Sequence, residues 1–156
     1  MKKILITAFD PFGGESINPS QEAAARIPAR IGDSQIVKLT VPTSFARSFE
    51  TVWSAIEKEN PDYVFMVGQA GGRTEITPEK QALNRIDARI PDNDGFLPSG
   101  QTIIADAPEA YRSTLPVEQF VQALSDSGVP ARLSETAGAF VCNDGLPGTP
   151  VTSVMG

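Results

Sequence analysis

The sequence contains no histidine and only one cysteine, Cys142, among its 156 residues. With no imidazole and a single thiol it cannot assemble the nitrogen and sulfur ligands of an ordinary zinc site, so no metal is expected. One cysteine also rules out an internal disulfide and suits a reducing compartment. Clustered positive charge is missing too. The 13 Lys and Arg residues are scattered among 19 Asp and Glu, for a net charge of −6. Neutralising a phosphate backbone needs grouped Lys and Arg, so nucleic acid is excluded as a partner. No apolar stretch approaches the length that spans a bilayer. The opening Met1-Lys2-Lys3-Ile4-Leu5-Ile6-Thr7 is too short for a secretory signal and soon meets Asp10. The expected location is therefore cytoplasmic, with no membrane partner. Repeats, low-complexity tracts and linkers are absent. Phosphate loops are absent as well, since neither Gly13-Gly14 nor the run Gly68 to Gly72 fits a nucleotide-binding glycine pattern. A nucleotide-binding domain is disfavoured on that ground.

What is present reads as one domain with a real core, 40% apolar and 21% charged. Lys3 to Ala8 is an apolar, partly β-branched run of strand length, and Tyr63 to Val67 is another. We expect these two to be neighbouring interior strands. Gln35 to Val41 is a third strand, and Ala131 to Ser134 a short one. Asn18-Pro19 starts a helix that runs through Ala23, Ala24, Ala25 and Ile27. Phe45, Phe49, Val52, Trp53 and Ile56 share one face of a second helix, ended by Asn60-Pro61. Val117, Phe120, Val121 and Leu124 form a third stripe, stopped by Gly128 and Pro130. Residues 74–104 give mixed signals, with a loop at Pro91 to Gly95 and short strands on either side. Alternating strands and helices predict an α/β fold: a single-domain three-layer sandwich with a twisted, mostly parallel sheet and helices on both faces. Such sheets bind ligands beyond the carboxyl ends of their strands. That directs attention to the loops after Ala8, Val41, Val67 and Ser134.

Each of the motifs there has a plain reading as well as a functional one. Phe9 and Phe12, in Phe9-Asp10-Pro11-Phe12-Gly13-Gly14, either tuck under the loop as a satellite cluster or line a hydrophobic ligand slot. Asp92-Asn93-Asp94-Gly95 begins like a calcium loop, but it lacks the alternating ligands and the closing Glu, which leaves an ordinary turn. A lone cysteine is most often a small buried hydrophobe. Cys142, however, follows a strand, a glycine-containing turn and Phe140-Val141. A nucleophile in a hydrolase is often carried in such a place, at the start of a helix. Glu79 alone would be one surface carboxylate among many.

Several segments, taken together and in order, resemble the pyroglutamyl peptidase I (pyrrolidone-carboxylate peptidase) family of cysteine peptidases. They are Ile4 to Gly14, Ile17 to Ser20, Val67 to Arg73, Thr77-Pro78-Glu79, Asp87 to Asn93, Ser113 to Pro116 and Thr136 to Asn143. The resemblance implies removal of N-terminal pyroglutamate from peptides by a Glu, Cys and His triad. Its first two members fall on Glu79 and Cys142, and its histidine would lie further on. It also implies that Phe9 and Phe12 hold the lactam ring. Gln69, Phe140 and Val141 would lie near that ring, and Arg89 close to the catalytic centre. No cofactor is implied, and the implied assembly is a homotetramer. The ligand fits the residues physically. Pyroglutamate is flat, small and uncharged, whereas a free N-terminal glutamate would carry charges into an aromatic slot at a desolvation cost. We therefore expect Phe9, Phe12, Gln69, Glu79, Arg89 and Cys142 to converge on one cleft from loops at strand ends.

The resemblance stops after Asn143. Residues 1–143 are read as the pyroglutamyl-peptidase-like domain, incomplete at its C-terminus, and 144–156 as a divergent tail. The tail has three glycines and two prolines in thirteen residues, a composition that resists a helix. Loss of the family's final part would leave an apolar face of the core open. Two readings follow. One is a cysteine peptidase acting on pyroglutamyl peptides. The other is a catalytically dead remnant without the triad histidine, at most binding pyroglutamyl ligands.

Overall fold

The computed structural model describes residues 1–144 and, by backbone, 151–155. In chain order its elements are β1 (Lys2–Phe9), α1 (Pro19–Arg26), β2 (Arg30–Ile31), β3 (Ser34–Val41), α2 (Ser48–Glu59), β4 (Tyr63–Gly68), β5 (Thr77–Leu83), β6 (Arg85–Ile86), β7 (Gln101–Thr102), β8 (Ala110–Arg112), α3 (Val117–Asp126), β9 (Ser134–Thr136), α4 (Val141–Asp144) and β10 (Val151–Met155). The main sheet runs β2-β3-β1-β4-β10-β5-β8, with β9 also paired to β5, while β6 and β7 form a separate ribbon. The interior pairings β3-β1, β1-β4 and β4-β10 are parallel.

The alternation of β1 sorts the core into two layers, because successive side chains point to opposite faces of a sheet. Leu5 and Phe9 join Val41, Phe45, Val52, Val64, Met66 and Val141 on one side. Ile6 and Ala8 join Ala24 and Ile36 on the other, with Ile4, Ile27, Phe65 and Val67 packed against them. The first layer is therefore roofed by α2 and α4, and the second by α1. Phe120 of α3 packs on Phe65 with ring centroids 5.4 Å apart, which adds α3 to the second side. The fold is the expected α/β sandwich with helices on both faces. Each fully buried Leu, Val or Phe contributes about 1.5–3 kcal/mol, so β1 is the main hydrophobic anchor of both layers.

Lys3 to Ala8 and Tyr63 to Val67 are neighbours as expected, with Ile4 opposite Tyr63 through Thr7 opposite Met66. Asn18 caps α1, accepting from Ser20 N at 2.9 Å and from Ser20 Oγ at 2.7 Å. Asn60, left-handed at φ 45, ends α2 by donating its N–H to the Ile56 carbonyl.

Some expectations need correction. The second helix starts at Ser48, so Phe45 lies in the turn before it and not on the helical stripe. Of that stripe Val52 is buried, whereas Phe49 and Trp53 stack on each other and remain 40% exposed. The short strand near residue 131 begins only at Ser134, and Ala131 makes an isolated bridge to Ile76. Residues 77–83 form an interior strand, so Glu79 sits within a strand and not on a loop. After Asn143 the chain adds only Asp144 to α4, and residues 151–155 then form β10. β10 enters the sheet between β4 and β5, where it pairs parallel with one and antiparallel with the other.

Candidate active site

The sheet topology brings three chain segments to one edge. Thr7 pairs with Met66, so two residues further on Phe9 comes level with Gly68. Met155 pairs with both Gly68 and Thr77. Because β5 runs antiparallel to β10, its beginning lies at the carboxyl ends of β1, β4 and β10. Gln69, the residue after β4, and Glu79, two residues into that row on β5, therefore share this edge.

Glu79 is 1% exposed and the most deeply placed carboxylate among the described residues. Arg73 reaches it from the turn that follows β4. Gly72, at φ 82, makes that turn, and Arg73 N donates to the Ala70 carbonyl at 3.2 Å. The guanidinium Nη1 donates to Glu79 Oε1 at 3.0 Å and to Thr77 Oγ1 at 2.6 Å, with Ser134 Oγ at 3.5 Å. Glu79 Oε2 is buried and has no hydrogen-bond partner among the described residues. Burial raises the Glu79 pKa above the ordinary carboxylate value, and Ser134, Arg73 and Arg132 oppose that shift.

Cys142 is the second residue of α4, reached through Gly138 at φ 83, whose N–H donates to Thr136 Oγ1 at 3.1 Å. Its neighbour Asn143 anchors the turn. The Asn143 side-chain amide donates to Leu83 O at 2.6 Å and to Arg85 O at 3.0 Å, while its Oδ1 accepts from Leu83 N at 2.6 Å. Val141 is fully buried in the first core layer, and Phe140 and Cys142 pack against that layer. Cys142 as a residue is partly exposed. Burial of its thiol nevertheless pushes the pKa up to about 12, the backbone N–H works against this, and the nearby Glu79 carboxylate adds to it. Thiol and carboxylate thus act on each other electrostatically.

The aromatic loop after β1 is bound from several sides. Asp10 accepts from Thr43 N at 2.7 Å and Asn93 Nδ2 at 3.2 Å, and its carbonyl accepts from Asn18 Nδ2 at 3.0 Å. Phe9 is a core residue. Phe12 faces Phe140 with centroids 5.6 Å apart, Phe140 meets Phe45 at 5.5 Å, and Phe45 meets Phe96 at 5.9 Å. The segment that carries Arg89 links this loop to the cysteine turn. Asp87 N donates to the Ala139 carbonyl at 2.9 Å, and Ile90 lies 3.6 Å from where a Cβ on Gly13 would stand. Arg89 itself is exposed.

Of the residues singled out from sequence, the structure joins Phe12 to Phe140, sets Phe9 and Val141 in one core layer, and brings Glu79 near enough to Cys142 to act on its thiol. It sets Gln69 at the shared edge and Arg89 on the segment between the two loops. Sequence reasoning missed Arg73 and Asn143, whose roles depend on contacts across the fold. Asp92, in the segment read as an ordinary turn, accepts on its oxygens from Phe45 N, Asp94 N and Phe96 N. Those bonds make the Asp-Asn-Asp-Gly segment a structural turn. Among the described residues no group of three or more Cys, Asp or Glu is placed to hold a metal ion, and no helix is long and apolar enough to cross a membrane.

A family profile for pyroglutamyl peptidase matches residues 2–149. The chain belongs to the pyroglutamyl peptidase family. It is 54% identical to the pyrrolidone-carboxylate peptidase of Lactobacillus johnsonii over 141 residues, which is 90% of this chain and 66% of that protein. The Clostridium perfringens pyrrolidone-carboxylate peptidase is 52% identical over the same span, so the chain covers just under two thirds of these relatives. The crystal structure of Bacillus amyloliquefaciens pyroglutamyl peptidase I superimposes with a TM-score of 0.94 at 42% identity, over 99% of this chain and 81% of that one. Pyrrolidone carboxyl peptidase from Thermococcus litoralis gives 0.94 at 38% identity, over 99% and 76%.

Proposed function

We propose that this chain carries the nucleophile, its partner carboxylate and the substrate slot of a cysteine peptidase that releases N-terminal pyroglutamate from peptides. The observation that carries the reading is the placement of the Cys142 thiol close enough to the buried Glu79 carboxylate to feel its charge, on the turn whose Phe140 contacts Phe12. In this reading the Cys142 sulfur attacks the pyroglutamyl carbonyl carbon. The C–N bond then breaks, the amine leaves with a proton, and water cleaves the thioester to free pyroglutamate. Phe12 and Phe140 form the apolar walls of the slot, with Phe9 and Val141 buried behind them. Gln69 supplies an amide partner to the lactam, and Arg89 lies close to the reacting carbonyl. Glu79 orients the group that carries the proton.

The 156 residues hold no imidazole for that proton. A general acid–base group contributes about 10²–10⁴-fold, and losing one member of a coupled triad can cost on the order of 10⁶-fold. A polypeptide of these residues alone should therefore turn over a pyroglutamyl amide at a rate close to its Cys142→Ala variant. A polypeptide extended after Asn143 with a family-like helix and histidine should exceed that blank by at least about 10²-fold. Equal rates for the extended polypeptide and the blank would sink the assignment of Cys142. Family resemblance extends the reading to a cytoplasmic homotetramer, which sedimentation velocity checks.

A further inference from the structure

We infer that Arg73 is the positioning residue of this site: its guanidinium fixes Glu79 through Oε1, holds its charge inside the sheet, and leaves Oε2 as an open acceptor. The inference rests on the reading of Glu79 as a member of the catalytic group. The geometry has three parts. First, a single nitrogen of Arg73, Nη1, donates to Thr77 Oγ1 at 2.6 Å and to Glu79 Oε1 at 3.0 Å and lies 3.5 Å from Ser134 Oγ, on side chains fixed to β5 or to its partner β9, where Glu79 pairs with Ser134. Thr77 and Glu79 are two residues apart on one strand and so share a face, which puts both acceptors within reach of that one nitrogen. Second, the Ser134 hydroxyl stands between the Thr136 carbonyl at 3.0 Å and Arg73 Nη1 at 3.5 Å, and so steadies the guanidinium beside the carboxylate. Third, Oε2 stays without a donor although it is buried. Buried polar atoms are nearly always paired, so a buried carboxylate oxygen without a donor calls for a partner.

Few other charges face Glu79. Arg132, just before β9, acts on it from further away and is itself paired with Glu75 at 2.8 Å. Among the described side chains of α4, the Cys142 thiol is the titratable one near Glu79. Lys80, next on β5, is paired with Glu135 at 2.8 Å. Arg73 is therefore the direct cationic partner of Glu79 among the described residues, and at 29% side-chain exposure it remains partly hydrated while Glu79 does not.

The test is a carboxyl-carbon NMR titration of the whole chain labelled with ¹³C-glutamate and ¹³C-arginine. The Glu79 signal is assigned by its loss in Glu79→Gln. In Arg73→Gln the Glu79 midpoint should rise by at least about one pH unit, a tenfold change in proton affinity, while other carboxyls stay in place. Arg73→Lys should restore part of that shift, because it returns the charge without the guanidinium. In the unsubstituted chain the Arg73 Cζ signal should move with the same midpoint as Glu79. An Arg73 signal blind to that transition overturns the inference even if the variants do not fold. An unchanged Glu79 midpoint in folded Arg73→Gln overturns it as well. None of these readouts depends on turnover, so a failed peptidase assay would count against the proposed function and leave this inference standing.

Discussion

At the scale of single residues, the site is built from groups held in unfavourable states. With a pKa of about 12, only about one Cys142 thiol in 10⁵ is ionised at pH 7, against a few per cent for a free cysteine. Allowing for the higher intrinsic nucleophilicity of a more basic thiolate, iodoacetamide should alkylate Cys142 about 10²-fold more slowly than glutathione at pH 8. Alkylation as fast as glutathione would show the thiolate to be stabilised. The sign for stability follows from the same shift. The folded thiol holds its proton more tightly than the unfolded one. Its contribution is therefore intact below the unfolded pKa and is lost as pH climbs from there towards about 12. Glu79 follows the same rule at lower pH, because its folded pKa is also raised. Stability linked to Glu79 is present in acid and lost as pH rises through its folded pKa. Glu79→Gln should therefore lose less stability between pH 4 and pH 7 than the unsubstituted chain does. Urea melts of both chains at the two pH values measure the difference. Thr7, fully buried in β1 with an unpartnered hydroxyl among the described residues, gives a simpler case. Thr7→Val keeps the branched shape and removes an orphan polar group, so it should raise stability by about 1 kcal/mol. A loss of stability in that variant would reveal a partner for the hydroxyl.

At the scale of elements, the apolar strands were legible and the polar one was not. Lys3 to Ala8 and Tyr63 to Val67 announce themselves because both of their faces are buried. β5 reads Thr-Pro-Glu-Lys-Gln-Ala-Leu, which has the composition of a surface segment. Its strand character comes from partners distant in sequence, Ser134 and Thr136 of β9, which pair with it, while Arg73, six residues before Glu79, bonds the carboxylate from the intervening turn. No local pattern encodes those contacts, so Glu79 was identified only through resemblance and its partner Arg73 was missed. The start of α2 was misplaced for a related reason. Phe45 has the spacing of a helical residue, but it spends its side chain on Phe140 and Phe96. α4 is the extreme case, one turn long and too short to be stable on its own. Asn143 holds it to β5 and β6 by three hydrogen bonds. Asn143→Ala would leave Leu83 N–H and two carbonyls without these partners, and it should cost about 2–4 kcal/mol. It should also speed alkylation of Cys142 as the turn loosens. Chemical denaturation and alkylation rates check the two effects separately.

At the scale of the whole molecule, β10 joins two halves of the sheet that do not otherwise touch edge to edge. β4 and β5 are separated by eight residues in sequence but by a full strand in space. The tail's glycines and prolines lie outside the described residues, and nothing in Val-Thr-Ser-Val-Met indicates an interior position. A polypeptide ending at Pro150 would expose the facing edges of β4 and β5, with their backbone donors and acceptors unpaired. It should lose cooperative melting and elute as aggregate in size exclusion, and an unchanged melting transition would argue that β10 is dispensable.

The position of β10 also sets an order of events during synthesis. β4 and β5 leave the ribosome one after the other, but the strand that belongs between them follows about seventy residues later. At ordinary elongation rates of about 5–20 residues per second, the gap stays open for several seconds. Through that interval the nascent chain must keep the two facing edges from closing on each other, or from recruiting a neighbouring chain.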